Sequence, residues 1–347
     1  MTDLDRATAY DYVLPPDLVA QHPAEPRDRS RLLVVPRDGS AFRHLEFRDL
    51  VDLVPAGDAL VLNETRVFPA RIRGRKPTGA PAEVLLLRPV SADEREWEAL
   101  VRPGGKLKPG RVIEVDDGVR IVVVDSVPGG GRIVRIESRE PARAAIERVG
   151  EVPLPPYIER AAEAADRERY QTVYARAAGS VAAPTAGLHF TPAVLAALGR
   201  KGVELVRLVL HVGVGTFRPV DDEALARHAM HAEWYDVPAE AAAAINRVRA
   251  GGGAAWAVGT TVARTLETAA APAGVVRAGS GWTDIFIRPP YRFRAVDRLV
   301  TNFHLPRSTL LMLVSAFAGH ERTMAAYREA VRERYRFYSY GDAMVVV

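Results

Sequence analysis

Cysteine is absent from the 347 residues, which excludes disulfides, thiol nucleophiles and cysteine-held zinc. Long apolar runs are missing too. The longest, residues 310–317, contains one serine and falls far below the roughly 18 residues that a membrane span requires. The first residues include Asp3, Asp5 and Arg6 and no apolar leader core, so no signal peptide is expected and the cytoplasm is the expected location. Neither sign of charge dominates: 47 basic against 43 acidic side chains give a formal net charge of +4, which permits an anionic partner without demanding one. Internal repeats and low-complexity tracts are absent apart from alanine-rich 239–244 and the glycines at 251–253, which read as a helix and its terminating turn. What is present, 48% hydrophobic and 26% charged residues, is a globular composition. The length allows two domains, or one large core carrying an insertion.

Residues 8–66 read as mixed α/β, with a short helix at 16–22, a strand at 31–35, helical periodicity at 47–53 and a buried strand at 59–62. That last strand runs into Asn63, Glu64, Thr65 and Arg66, a strand-end position that suits ligand contacts as well as a plain polar loop. From Val67 to about Gly150 the texture changes. Short apolar runs at 83–88, 97–102, 112–115, 119–124 and 132–136 are separated by Pro-Gly, Asp-Gly and triple-glycine turns. Strands at this spacing argue for a small all-β barrel or sandwich. Its rim is basic, with Arg71, Arg73, Arg75, Lys76, Arg102, Lys106, Lys108 and Arg111, suited to a nucleic-acid backbone or simply to solvent. From Glu151 the α/β texture returns, after a proline-rich extended connection at 152–160. The expected fold is an α/β domain, with a mixed sheet and helices, built from 1–66 and 151–347 and interrupted by a small barrel at 67–150.

Chemistry-bearing residues cluster in polar turns. At 301–319, Asn302 and His304 lie in a turn with Pro306, and Ser308-Thr309 stands where the N-cap of the apolar helix belongs. In AAPTAGLHFT, Thr191 and Pro192 start a helix that Gly202 ends, placing Thr185 and His189 before a positive helix end that favours an anion. In LVLHVGVGTF a buried strand runs into His211, followed by Gly213 and Gly215, which let the backbone approach a partner. The third glycine of a dinucleotide site is missing, so a Rossmann cofactor is not supported. A satisfied core histidine is the more common fate of a residue like His211. His228 and His231 stand three apart, with Glu233 beyond. On a helix they would share a face and could bind a metal or serve acid/base work; no third ligand is evident, so no metal is expected. WAVGTTVARTLET reads as strand, turn and helix, with Thr260 or Thr261 capping and Arg264 in the first turn. Asp284 stands at a strand start, before Arg288, Arg292, Arg294 and Arg298 interleaved with aromatics; the interleaving fits RNA or an amphipathic strand.

Together LVLNETRVFPARI, EVPLPPYIER, YQTVYA, AAPTAGLHFT, LHVGVGTFRPV, HAMHAEWYDVP, GTT..RTLE, TDIFI, TNFHLPRSTLLMLVSAFAG and YSYGDAM closely resemble the S-adenosylmethionine:tRNA ribosyltransferase-isomerase family of queuosine biosynthesis, over about residues 8–345. The resemblance implies an α/β domain interrupted by a β-barrel. It also implies transfer and isomerisation of the ribosyl part of S-adenosylmethionine onto 7-aminomethyl-7-deazaguanine at the tRNA wobble position. The product is epoxyqueuosine, with adenine and methionine released. S-adenosylmethionine is a co-substrate and no separate cofactor is needed. The implied partners are that donor and precursor-bearing tRNA; the short apolar runs leave no membrane expected, and a monomer is expected.

Such chemistry needs a base for a C5′ proton and an acid for adenine departure. His304 and His211 are the candidates, with His231 and Glu233 in reserve and Asp284 to orient. Thr185, His189, Thr260, Thr261 and Arg264 are candidates for the methionine carboxylate or ribose, joined by Arg66, Gly213, Gly215 and Asn302 as substrate-binding positions. Val262 and Ala263 depart from the family's usual serine and valine, and Arg288-Pro289-Pro290 from its tyrosine-proline-glycine. The competing readings are a transferase acting on another acceptor and a non-catalytic tRNA-binding protein.

Overall fold

Alternate side chains of a strand face opposite sides of a sheet. Apolar residues at both parities therefore call for cover on both faces, and the longer apolar strands of this chain show that pattern. The computed structural model describes residues 3–116, 118–213 and 225–347; Gly215 lies outside them. Strands β1 (Arg31–Val35) and β2 (Arg43–Glu46) are followed by the single-turn helix α1 (Leu50–Leu53), β3 (Ala59–Asn63) and the short β4 (Thr65–Val67).

Six strands come next: β5 (Arg71–Arg75), β6 (Pro81–Pro89), β7 (Glu96–Arg102), β8 (Val112–Asp116), β9 (Val119–Ser126) and β10 (Arg132–Ser138). They close into a barrel in the order β10-β7-β6-β5-β8-β9. Fully buried Val84, Leu86, Trp97, Ile113, Ile121 and Val134 fill it. Helix α2 (Ala142–Val149) covers one part with Ala145 and Ile146. The arginines of β5 alternate with Ile72, which points inward. Gly74 on that strand is required by close packing, since a β-carbon there would lie 2.5 Å from the Glu114 carbonyl oxygen.

The chain returns through α3 (Asp166–Arg169), β11 (Ala177–Ser180), α4 (Pro192–Lys201), β12 (Glu204–Leu210), β13 (Glu233–Val237), α5 (Ala239–Ala250), β14 (Ala255–Val258) and α6 (Thr260–Ala269). It ends with β15 (Gly279–Thr283), β16 (Arg298–Asn302), α7 (Thr309–Ala318), α8 (His320–Arg332) and β17 (Ala343–Val346). A nine-stranded mixed sheet results, in the order β15-β13-β12-β3-β14-β16-β17-β1-β2. Leu33, Ala59, Val61, Ala255 and Ala257 pack under α5–α8. The alternate residues Leu32, Leu60, Leu62, Trp256 and Val258 pack under α1 and α4. The fold is thus a mixed α/β sheet domain whose chain is interrupted by a small barrel. β4 pairs in parallel with β11 in a separate two-stranded ribbon, Thr65 opposite Ala177 and Val67 opposite Ser180, so the strand leading to the barrel lies beside one that follows it.

The helix ends obey the expected chemistry at two sites. Thr191 Oγ1 accepts from the Val194 N–H at 3.3 Å, and Gly202 closes α4 at φ 90°. Ser308 Oγ likewise accepts from the Leu311 N–H at 3.2 Å at the start of α7. Three local expectations are corrected. Gly259, at φ 95°, holds the cap position of α6, and Thr260 and Thr261 are its first helical residues. Asp284 follows the end of β15 rather than starting a strand. His228 and His231 lie in irregular chain before β13, with no shared helical face.

Candidate active site

The sheet and the barrel meet across a cleft of about 490 Å³. The sheet side presents His211, Glu233 and Trp234, and the barrel side presents Phe68, Arg88 and Trp97. His211 stands one residue beyond β12, whose buried apolar strand delivers it to the cleft. Its N–H donates to the Trp234 carbonyl at 2.9 Å, and its ring stacks on that indole at 5.2 Å. Nδ1 lies 2.8 Å from Thr65 Oγ1, and the Thr65 hydroxyl also contacts the Ala177 carbonyl at 3.4 Å. Both contacts are satisfied when Nδ1–H donates to Thr65, which leaves the lone pair on Nε2. Burial pushes the imidazole below its ordinary value, because desolvation disfavours the charged form. Burial thus favours the neutral ring, which in this tautomer can accept a proton at Nε2.

Behind the cleft lies a buried ion pair. Glu233 begins β13, and its Oε2 accepts from Arg264 Nη1, both side chains being almost wholly buried. Oε1 accepts from the Gly213 N–H at 2.9 Å. Nε and Nη2 of Arg264 have no hydrogen-bond partner among the described residues. Arg264 is the fifth residue of α6, just past the first turn. His231 is exposed at the cleft lip.

A smaller inner cavity, about 60 Å³, is lined by Thr185, Thr260, Thr261, Asn302, His304 and Ser308 among others. Val212 belongs to the walls of both cavities. His304 Nε2 is 2.7 Å from Thr301 Oγ1, its N–H donates to the Tyr327 hydroxyl at 2.9 Å, and its carbonyl accepts from Tyr12. Burial pushes this imidazole down to about 3, so it is neutral and poorly suited to donate a proton as an acid. His189 turns away from the cavity. Its Nδ1 meets Ser30 Oγ at 2.7 Å, its Nε2 accepts from Asn302 Nδ2 at 3.0 Å, and its ring stacks on Phe47. Burial, helped by Arg336 and Arg27, pushes it also to about 3.

The structure therefore gathers Thr185, Thr260, Thr261, Asn302 and His304 around one cavity and His211, Gly213, His231 and Glu233 around the adjoining cleft. Arg264 stands behind Glu233, and His189 stands behind Asn302. Arg66 and Asp284 are exposed and line neither space. Among the described residues, a β-carbon on Gly213 would approach nothing closer than Glu233 Oε1 at 3.9 Å. Val262 and Ala263 are fully buried in the core beneath the sheet, so that departure from the family pattern alters packing rather than a cavity wall. Arg288 pairs with Asp5 at 2.8 Å. Sequence reasoning missed Gly179, Trp234 and Ser30, whose importance arises only from contacts across the fold. Among the described residues, no group of three or more histidine, aspartate or glutamate side chains is placed to hold a metal ion, and no helix is long and apolar enough to cross a membrane.

Residues 7–346 match a family model described as queuosine biosynthesis protein. The chain is 56% identical over 344 residues to the S-adenosylmethionine:tRNA ribosyltransferase-isomerase of Symbiobacterium thermophilum, covering 99% of this chain and 100% of that one. It is also 56% identical over 345 residues to the protein of the same name from Moorella thermoacetica, with 99% and 100% covered. Among solved structures, it is similar to the S-adenosylmethionine tRNA ribosyltransferase from Thermotoga maritima, at 39% identity and a TM-score of 0.56, covering 98% of this chain and 100% of that one.

Proposed function

The chain belongs to the queuosine biosynthesis protein family, and from that premise we propose that it is an S-adenosylmethionine:tRNA ribosyltransferase-isomerase. It transfers the ribosyl part of S-adenosylmethionine to the aminomethyl nitrogen of 7-aminomethyl-7-deazaguanine at the tRNA wobble position and isomerises it to the epoxycyclopentanediol of epoxyqueuosine. In the balance, protons leave C5′ and the aminomethyl nitrogen, and the bonds from C1′ to adenine and to the ring oxygen and from C5′ to sulfur break; nitrogen–C1′, C1′–C5′ and C5′–oxygen bonds form, adenine departs with a proton and methionine departs as the neutral thioether. No separate cofactor is called for, because the sulfonium both acidifies C5′ and leaves.

The observation that carries this reading is His211. It is a neutral imidazole stacked on Trp234 at the floor of a cleft between sheet and barrel. With Nδ1 engaged by Thr65, Nε2 is the atom that takes the C5′ proton. His304, uncharged by burial, orients the donor from the inner cavity as a hydrogen-bonding group. Glu233, held by Arg264, fixes the backbone that follows His211 through the Gly213 N–H. His231 faces the solvent side, where the acceptor base enters. The barrel unit, residues 67–150, offers its basic rim to the tRNA backbone. The protein acts as a monomer in the cytoplasm.

The decisive experiment is mass spectrometry of precursor-bearing tRNA after incubation with the protein and S-adenosylmethionine. The expected result is a mass gain at the wobble nucleoside with equal release of adenine and methionine. Release without modification of that nucleoside points to another acceptor. Salt-sensitive tRNA binding with no turnover points to a non-catalytic RNA-binding role.

A further inference from the structure

The inner cavity carries features that proton transfer at His211 leaves unused. It adjoins the start of α6, a helix of ten residues whose cap is Gly259. A glycine offers no side-chain oxygen, so among the described residues the N–H groups of the first helical turn, beginning with Thr260 and Thr261, have no side-chain cap and carry the positive end of the helix. The start of α7 on the same cavity is different, because Ser308 closes it.

Asn302 supplies a second and independent observation. It lines this cavity, is only 2% exposed, and its Oδ1 has no hydrogen-bond partner among the described residues. The amide cannot simply turn round. Nδ2 donates to the carbonyls of Tyr338 at 3.1 Å and Asp342 at 3.4 Å and to His189 Nε2 at 3.0 Å. Carbonyls only accept, so a flipped amide would set oxygen against oxygen. His189 is fixed in turn by Ser30 at 2.7 Å. The buried chain Ser30–His189–Asn302 thus holds an unpaired acceptor in place, and such an atom calls for a donor from a ligand.

An anion site and a donor-seeking oxygen in one small cavity suit a zwitterion. The space, about 60 Å³, has room for a few water-sized groups and fits a carboxylate and an ammonium on one carbon. We propose that this cavity is the subsite for the α-amino-acid end of the donor, with the carboxylate on the N–H groups of Thr260 and Thr261 and the ammonium on Asn302 Oδ1. The methylene chain then passes Val212, the residue common to both walls, and delivers the sulfonium to the cleft of His211. This assignment rests on S-adenosylmethionine being the donor.

Calorimetric titration of the full chain tests it with three ligands. They are S-adenosylmethionine, its decarboxylated analogue, and 5′-methylthioadenosine, which lacks the amino-acid end. The unaltered protein is expected to bind the full donor at least ~100-fold more tightly than either analogue, since each analogue forgoes charge-assisted hydrogen bonds. Asn302→Leu is expected to weaken the full donor by about 10- to 100-fold while leaving 5′-methylthioadenosine within about twofold. Thr185→Leu, which narrows the cavity from its less buried wall, carries the same expectation should Asn302→Leu lower the melting temperature. Equal weakening of donor and 5′-methylthioadenosine, or no preference of the unaltered protein for the full donor, overturns the subsite, even where ribosyl transfer to tRNA proceeds. Absence of any donor binding overturns the subsite and the proposed activity together.

Discussion

A β-carbon placed on Gly179 would stand 2.6 Å from Nε2 of His211, closer than side-chain carbons approach a ring. Gly179 lies on β11 and Thr65 on β4, the two strands of the ribbon. One backbone limits the imidazole from its Nε2 side, while the other strand's hydroxyl holds Nδ1. Gly179→Ala is therefore expected to displace the ring. A displacement of about 1 Å costs roughly 100-fold in rate, and single-turnover transfer to precursor-bearing tRNA measures it. His211→Ala should lose at least as much, while binding of S-adenosylmethionine persists in both variants. An unchanged rate for Gly179→Ala would show that the ring has room to move.

Acid should weaken the protein through its buried histidines. His189 and His304 are both held near 3 by burial, against about 6.5 for a free imidazole. Below 6.5 the unfolded chain takes up protons that the folded one refuses. The stability is thus complete above that pH and lost as pH falls toward 3, by up to about 1.4 kcal/mol per pH unit for each histidine. Urea midpoints at pH 7.5, 6 and 5 should fall in that order. His304→Gln should flatten the decline; a parallel decline in the variant would clear His304 of any part in it.

The Arg264–Glu233 pair should behave as a unit. Arg264→Met takes the guanidinium away from the buried Glu233 carboxylate, and removal of one partner of a buried pair typically costs about 3–5 kcal/mol. The double variant Arg264→Met/Glu233→Leu removes both charges and should recover most of that loss. Urea unfolding of the four species gives the coupling directly, and additive losses would refute it.

Part of the barrel's basic rim is already occupied. Arg73 pairs with Glu151 at 3.3 Å and Arg71 with Glu83 at 3.7 Å. Arg75, Lys76 and Arg102 border a surface groove and carry no ion pair among the described residues. Alanine at Arg75 and Arg102 should weaken tRNA binding and reduce the slope of log affinity against log salt by about 1 for each phosphate no longer neutralised. S-adenosylmethionine binding should not change. A salt slope unaltered in both variants would move the RNA path elsewhere.

Much of the architecture is legible in the sequence because pattern and fold share a period. Apolar residues alternating between turns announce β6 to β10, and the caps at Thr191 and Ser308 announce α4 and α7. Strand β5 escapes this pattern, because the arginines of RIRGR advertise charge while only Ile72 marks the inward face. The site is legible as polar turns but not as an arrangement. Asn302 and His189 are 113 positions apart, and no local signal pairs them. Gly179 in AAGS carries no side chain to advertise chemistry, and its role exists only because His211 arrives beside it. Arg66, the conspicuous charge in NETR, is exposed; its quieter neighbour Thr65 is the residue that reaches the imidazole.

The paired ribbon of β4 and β11 has a mechanical consequence. β4 leads into the barrel strands and β11 follows them, so the imidazole between Thr65 and Gly179 is held from both sides of the interruption in the chain. A change in the pairing of the ribbon would therefore move both residues that bound the ring.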